Sequence, residues 1–422
     1  MSLVSRAIPN LFNGVSQQPA SLRHPSQGEV QENAYSQIAT GLRKRPPSAH
    51  VAKIVGTFAD NAFVHYINQG ATARWAVVIS AGVMYVADLA TGTLQTMSTP
   101  SGTGYLTSSN PRADFVALTV ADYTFIVNKT VVTAMSATTI GGTLSGTKQK
   151  FSDLPVASAS GAIYRIEGDP SNGFDDYYVQ DAAVGVYIEC MAPGSTTYLV
   201  NAATMPMSLA KTGASTFTLD VIAWNSRAVG DDNSNPLPSF IGNTISDVFF
   251  FRNRLGLLAL ENTILSRAGD YFNFFAKTVT AVLDDDPIDI SANHTKVSLL
   301  KFAVPFNRAL MLFSDQTQFE LTAGDVLTPK TAKIEQVTDF ESSAMAKAVG
   351  SGQDMYFVVE KDNYSGVREY FVDKDSITND AADISAHVPE YIPKNIFKMS
   401  ASSTEDVLFC LSSDVRNAIY VY

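Results

Sequence analysis

Short runs of β-branched and aromatic residues, each followed by a turn and a second such run, recur along this chain, while helical spacing is scarce. The pairs are 75–87 (both runs and their turn), 122–128 with 130–133, 247–251 with 255–260, 309–313 with 318–321, 354–359 with 367–372, and 406–411 with 418–422. Their starting points lie roughly 45–60 residues apart, except for one gap of 125 residues between 122 and 247. That period is near the ~40–50 residues of a four-stranded propeller blade. A single blade cannot bury both faces, so repeated blades stack on one another. The pattern therefore predicts an all-β chain with a few short helices: a propeller-like platform of repeated β-meander units carrying an inserted β domain. A meandering β-sandwich gives hairpins too, at less regular spacing, and no Trp-Asp or kelch-type signature separates the two.

On this reading residues 1–50 form an extended N-terminal arm and 51–137 the first platform units. Residues 138–240 hold a linker and the inserted β domain, and 241–422 hold the remaining platform units. The linker is the Gly/Thr/Ser stretch 138–150. Strand-like runs in the insertion fall at 177–179, 184–188 and 216–222. Short helices are expected at 342–348 and 270–275.

Composition narrows the class. With 422 residues and 45% hydrophobic content, the chain can bury sizeable cores, in two to four domains or one repeat array. The longest nearly apolar stretch, 75–87, is too short to cross a bilayer as a helix, so stable membrane insertion is not expected. Arg6 is followed at once by Pro9 and Asn10 with no apolar run between, which argues against a secretory signal. Cys190 and Cys410 are too few and too distant for a disulfide framework, in keeping with synthesis in a reducing cytoplasm. The net charge of −11 is uneven. Residues 1–50 hold five cations against two carboxylates, a net of +3, which leaves −14 on the remainder. An acidic body is poorly suited to gripping phosphates.

Candidate chemistry is sparse. The string Gly141-Gly142-Thr143-Leu144-Ser145-Gly146-Thr147-Lys148 approaches a phosphate-binding loop, but its lysine is one residue late and Gln149 stands where a Mg²⁺-binding hydroxyl belongs. The five histidines (His24, His50, His65, His294, His387) are scattered, without zinc-ligand spacing, and no Gly-x-Ser-x-Gly occurs. No cofactor is implied. The acidic clusters Asp175-Asp176, Asp231-Asp232 and Asp284-Asp285-Asp286 have the residue types of glycosidase carboxylates or of a Ca²⁺ site. Each lies beside Gly, Pro or Asn, so solvated turns are the simpler expectation. The alternative function they suggest is an envelope polysaccharide hydrolase working through Asp175, Asp176 or Asp231, or a carbohydrate-binding propeller.

The N-terminal string Ile8-Pro9-Asn10-Leu11-Phe12-Asn13-Gly14-Val15-Ser16-Gln17-Gln18-Pro19 runs on to Gly41-Leu42-Arg43-Lys44-Arg45-Pro46-Pro47. Leu11, Phe12 and Val15 supply apolar anchors, with Gln17 and Gln18 beside them. Arg43, Lys44 and Arg45 read either as a nucleic-acid patch or as part of an arm laid on a neighbouring subunit. The two prolines force an extended exit, which favours the arm. A second distinctive string is Phe249-Phe250-Phe251-Arg252-Asn253-Arg254-Leu255-Gly256, followed by Ile264-Leu265-Ser266-Arg267-Ala268-Gly269-Asp270-Tyr271-Phe272-Asn273-Phe274-Phe275.

These strings, with Tyr123-Thr124-Phe125-Ile126-Val127-Asn128-Lys129, the stretch 168–179 and Phe340-Glu341-Ser342-Ser343, resemble the tail nozzle (tail tubular protein B) family of short-tailed, autographivirus-type bacteriophages. The resemblance covers most of the chain. It implies a homohexameric ring in the virion tail, below the adaptor (tail tubular protein A) ring, with tail fibres docked near their junction. DNA would pass through the axial channel without specific binding, and synthesis and assembly would take place in the host cytoplasm. The resemblance also implies two departures. Family members carry a further domain between the segments matching Met135 and Phe151, and they continue past the position of Tyr422. No position here marks the lumen-facing residues.

Overall fold

The computed structural model describes residues 10–54, 56, 58–168, 176–372 and 379–422. The chain is all-β: among the described residues helix is limited to one four-residue α-helix, Pro111–Asp114, and four short 3-10 turns. It forms two units, Val51–Val337 and a second made of Met1–His50 with Thr338–Tyr422.

Within Val51–Val337 four sheets follow one another, and each shares a core with the next. The first comprises Phe63–Asn68, Arg74–Ser80 and Val83–Asp88. The second has five strands in the order Thr96–Ser98, Thr216–Val221, Met207–Lys211, Tyr123–Asn128, Phe115–Val120. Trp75, Val77 and Ile79 of the first pack against Ile126, Leu209 and Phe217 of the second. The third sheet runs Asp247–Phe251, Arg254–Ala259, Asn262–Leu265, Ile288–Ser291, and the fourth Phe302–Phe306, Ala309–Phe313, Gln318–Thr322, Lys333–Thr338. The third sheet is sandwiched, and its sequence says why. Val248, Leu255 and Leu257 enter the core shared with Phe125 and Val127. Phe249, Phe251 and Leu258 turn the other way, onto Leu310, Leu312 and Phe319. A strand apolar on both faces replaces alternation with an unbroken apolar run.

A further four-stranded sheet, in the order Val186–Cys190, Tyr177–Ala183, Ile163–Ile166, Leu144–Lys148, is built from chain lying between Tyr123–Asn128 and Met207–Lys211. Those two flanking strands pair directly, Ile126 opposite Met207.

In the other unit, Val349–Ser351, Asp354–Lys361, Tyr364–Val372 and Asn379–Asp383 form a four-stranded sheet, and Ile396–Ser402, Val407–Ser412 and Tyr420–Val421 a three-stranded one. Val358, Val367, Met399, Leu408 and Cys410 join them in one core. Ala34–Gln37 and Gly41–Lys44 form a separate two-stranded hairpin.

Several local expectations are corrected. Residues 130–133 are not a strand: Asn128 is buried, and its side chain bonds Tyr105 O, Thr107 O and Thr130 N, which turns the chain out of the sheet. The strand Tyr123–Asn128 pairs instead with Phe115–Val120 and Met207–Lys211. The stretch 138–150 is not all linker, because Leu144–Lys148 pairs parallel with Ile163–Ile166. Neither 270–275 nor 342–348 is helical. Phe274 and Phe275 are drawn into the core with Trp224 and Phe240, and Ser343 N donates to Val358 O.

Candidate functional site

The segment 10–28 is tied both to itself and to chain beyond residue 380. Val15 bridges to Gly28, and Ser16, which is buried, donates its N–H to Gly28 O at 2.9 Å. Gln17 makes the outward tie: its N–H donates to His387 O at 2.9 Å, and its Oε1 accepts from Glu390 N at 2.7 Å. Leu11 is half-buried, and its carbonyl accepts from Ser36 Oγ at 3.0 Å. Phe12 is exposed. Gln18 is exposed too, and its carbonyl accepts from Arg23 Nη2. Gly41, with φ +75°, closes the hairpin loop, and the Asn10 side chain lies where a Cβ would stand. Arg43, Lys44 and Arg45 are all exposed. Arg43 bonds Gln37 Oε1 at 2.7 Å, and Arg45 Nε bonds Asn33 Oδ1 at 2.8 Å. The structure thus brings Gln17 into contact with the 387–390 segment and leaves the basic triplet in solvent.

The second distinctive string builds a tight hairpin with a buried arginine behind it. Arg252 and Asn253 form its two-residue turn, at φ 45° and 60°. A two-residue turn of this left-handed geometry matches the twist of the flanking strands. Arg252 is held there by bonds to Gly324 O and Arg308 O, and its guanidinium lies over the Phe251 ring. Arg254 is fully buried. Its Nη1 donates to Ser266 O (2.8 Å), Asp286 O (2.6 Å) and Asp285 O (3.4 Å); its Nη2 donates to Asp284 O (3.0 Å) and Leu327 O (3.3 Å). Burial pulls its pKa below the ordinary arginine value, with Asp285 and Asp286 opposing. Gly256 gives room for the Phe249 ring: a Cβ there would stand 2.1 Å from it.

The carboxylates of Asp176, Asp231, Asp232, Asp285 and Asp286 are each engaged by an arginine or by backbone amides. Asp176 takes a bidentate bond from Arg165, at 2.9 and 2.7 Å. Asp175 lies outside the described residues. Asp231 caps a turn by accepting from Asn233 N and Ser234 N, both at 3.0 Å. Burial pushes its pKa up, but those bonds outweigh it and hold the carboxyl below the usual range. Asp232 is held low by its bond from the buried Arg227 at 2.5 Å, aided by Thr197. Asp285 pairs with Arg267, and Asp286 accepts from Leu283 N (2.8 Å) and Lys277 N (3.2 Å). A hydrolytic acid needs the opposite shift, a carboxyl kept protonated near neutrality. Among the described residues no group of three or more His, Cys, Asp or Glu is placed to hold a metal ion. The phosphate-loop-like string enters the strand Leu144–Lys148 rather than a helix N-terminus.

Sequence reasoning did not single out Arg227, Arg254 or the partners of Gln17. For Arg254 a signal existed: an arginine between the apolar runs Phe249-Phe250-Phe251 and Leu255-Gly256-Leu257 sits where only a satisfied cation survives. For His387 and Glu390 there was none, because backbone atoms make the contact.

Comparison with known proteins places this arrangement. A family model described as "Bacteriophage nozzle protein" matches residues 1–144 and 142–422. The chain is 31% identical, over 532 aligned positions, to the tail tubular protein gp12 of Escherichia phage T7; the match takes in all of this chain and 66% of that protein's length. Among solved structures, the NanB sialidase of Streptococcus pneumoniae gives a TM-score of 0.35 at 9% identity, covering 90% of this chain and 70% of that one. A quinonprotein alcohol dehydrogenase-like protein of Bacteroides thetaiotaomicron gives 0.35 at 10% identity, covering 82% and 60%. Likenesses this distant bear on neither fold nor function.

Proposed function

Because this chain belongs to the bacteriophage nozzle protein family, we propose that it serves as a wall segment of the tail conduit through which the genome leaves the virion. In this reading six copies form a ring below the adaptor (tail tubular protein A) ring, with tail fibres attached near the junction. Assembly takes place in the host cytoplasm, and the chain is a structural protein rather than an enzyme. The observation that carries the reading is the family match along the whole chain.

The architecture supports it. Four consecutive sheets joined by shared cores make a stiff body, suited to a wall and to a propeller-like platform. The engagement of Asp176, Asp231 and Asp232 with arginines and backbone amides supports a non-catalytic role.

Charge supplies the mechanism. Six copies at −11 each carry about −66. Duplex DNA carries one negative charge per roughly 1.7 Å of axis. An acidic wall repels it only within about one Debye length, ~8 Å. Such a short-ranged repulsion centres the duplex and prevents sticking while leaving its passage free. The test is the mass of the purified chain in solution, with and without the adaptor ring. A hexamer, or assembly into one on adding adaptor, is expected; a stable monomer indifferent to adaptor overturns the ring. Replacing lumen-facing Asp and Glu by Lys in an assembled tail is expected to slow DNA ejection, and unchanged ejection would sink the repulsion mechanism.

A further inference from the structure

The hairpin Ala34–Gln37/Gly41–Lys44 is built as though part of it were missing. It has two strands of four residues each, and neither outer edge pairs with another strand among the described residues. A lone two-stranded hairpin is marginal in water; a third strand or an apolar cover is needed to hold it. Ala34 and Tyr35 are half-buried, yet other apolar side chains on and beside the hairpin face solvent. Ile38, at the apex of the loop, is 86% exposed, Leu42 is 42% exposed, and Val30 and Val51 on either side are 75% and 57% exposed. Every residue from 42 to 53 is exposed. An exposed apolar loop on a hairpin whose strand edges are open among the described residues is the reverse of what solvent favours, and suits a surface made for a partner.

Charge selects the partner. Arg43, Lys44 and Arg45 follow one another on the second strand and its exit, and among the described residues none of them lies within ion-pair distance of a carboxylate. The segment Thr338–Tyr422 holds fourteen carboxylates against seven cations. Over 85 residues it matches the excess of seven carboxylates that Val51–Val337 spreads over 287. The base of the arm already rests on this segment of its own chain, through Gln17 to His387 and Glu390. Among the described residues the hairpin beyond that base finds no counterion there.

We propose that the 30–45 hairpin is an exchanged strap that docks on the acidic Thr338–Tyr422 segment of a second copy of this chain. Ile38 and Leu42 supply the apolar contact, Arg43, Lys44 and Arg45 the charge pairing, and an open strand edge the backbone bonds. Each copy then gives one hairpin and receives one, a head-to-tail contact of the kind that closes rings. The inference rests on the ring reading above and identifies the element that links its subunits.

The test uses the full chain. Sedimentation velocity compares wild type with Arg43→Glu/Lys44→Glu/Arg45→Glu and with Ile38→Asp, all exposed positions whose thermal midpoints should match wild type. The triple reversal is expected to weaken self-association by at least ~10-fold at low salt, with the gap narrowing as salt rises. Ile38→Asp should weaken it at every salt concentration. A photo-crosslinking residue at position 38, in a mixture of ¹⁵N-labelled and unlabelled chains, should join mixed-isotope peptide pairs whose second member falls within 338–422. If wild type assembles and both variants assemble equally well, the strap is overturned and the ring survives. If wild type stays monomeric with and without adaptor, strap and ring fall together. If the triple reversal abolishes binding to a short DNA duplex while self-association is unchanged, the basic triplet is a nucleic-acid contact and the strap is wrong.

Discussion

Replacing Arg254 by methionine isolates what its guanidinium does, because methionine keeps most of the stem's volume and leaves little cavity. Three of its five carbonyl contacts are short: Ser266 O at 2.8 Å, Asp286 O at 2.6 Å and Asp284 O at 3.0 Å. A hydrogen bond to a charged group contributes about 1.5–3 kcal/mol net, so these three together stabilise the fold by roughly 5 kcal/mol or more. Against that stands the cost of keeping a guanidinium out of water, several kcal/mol per buried ion. The expected loss on Arg254→Met is therefore about 2–4 kcal/mol, most of it from carbonyls left buried without a donor. Both tryptophans, Trp75 and Trp224, lie in the same unit as Arg254, so their fluorescence reports the unfolding of that unit alone. With a urea slope of about 3 kcal/mol per M, the midpoint should fall by roughly 1 M. Hydrogen exchange should quicken at the amides of 283–286, which the guanidinium pins from behind. A variant that unfolds at or above the wild-type midpoint, with protection unchanged, would refute the reasoning.

Other outcomes are equally open to measurement. Gly256→Ala pushes a methyl group into the buried Phe249 ring and should cost about 1–3 kcal/mol, seen as a lowered thermal midpoint; an unchanged midpoint means the ring moves freely. Asp232 is held low by Arg227, so it binds fewer protons folded than unfolded and its contribution to stability is present above the unfolded value near 3.8. That contribution is lost as pH falls through the lower folded value. The difference in thermal midpoint between wild type and Asp232→Asn should therefore shrink from about pH 5 to about pH 2, and a constant difference would contradict the pairing. Gln17→Ala removes the bond to Glu390 N and leaves the backbone bond to His387 O. Losing about 1 kcal/mol of tether should speed proteolysis within 10–28 by roughly fivefold, with cleavage elsewhere unchanged.

How much of this was legible in the sequence follows from where each residue's partners lie. Hairpins such as Asp247–Phe251 with Arg254–Ala259, and Asp354–Lys361 with Tyr364–Val372, announce themselves because both strands and their turn are contiguous. Strands such as Leu144–Lys148, rich in Gly, Ser and Thr, are set by a neighbour already in place, so no local run of strand formers marks them. The same holds for 130–133, where Val131 and Val132 suggest a strand and the buried Asn128 overrules them. At the candidate site, the acidic clusters were visible as carboxylates but their engagement was not. Arg165 lies eleven residues from Asp176, and Arg267 eighteen from Asp285. Which arginine meets which acid is decided by the sheets.

The direct pairing of Tyr123–Asn128 with Met207–Lys211 means that everything between these strands leaves and re-enters the second sheet at adjacent points. The doorway is as wide as two strands, whatever is hung in it. Length can therefore vary in the outlying four-stranded sheet without disturbing the ladder on either side, provided Val200 and Met205 keep their places in the core with Phe125 and Val127. The two stretches of the chain that match the nozzle family meet at 142–144, inside this excursion, and the alignment to the T7 protein runs to 532 positions for a chain of 422. Relatives can thus differ in what they hang between these two strands while inheriting the same ladder.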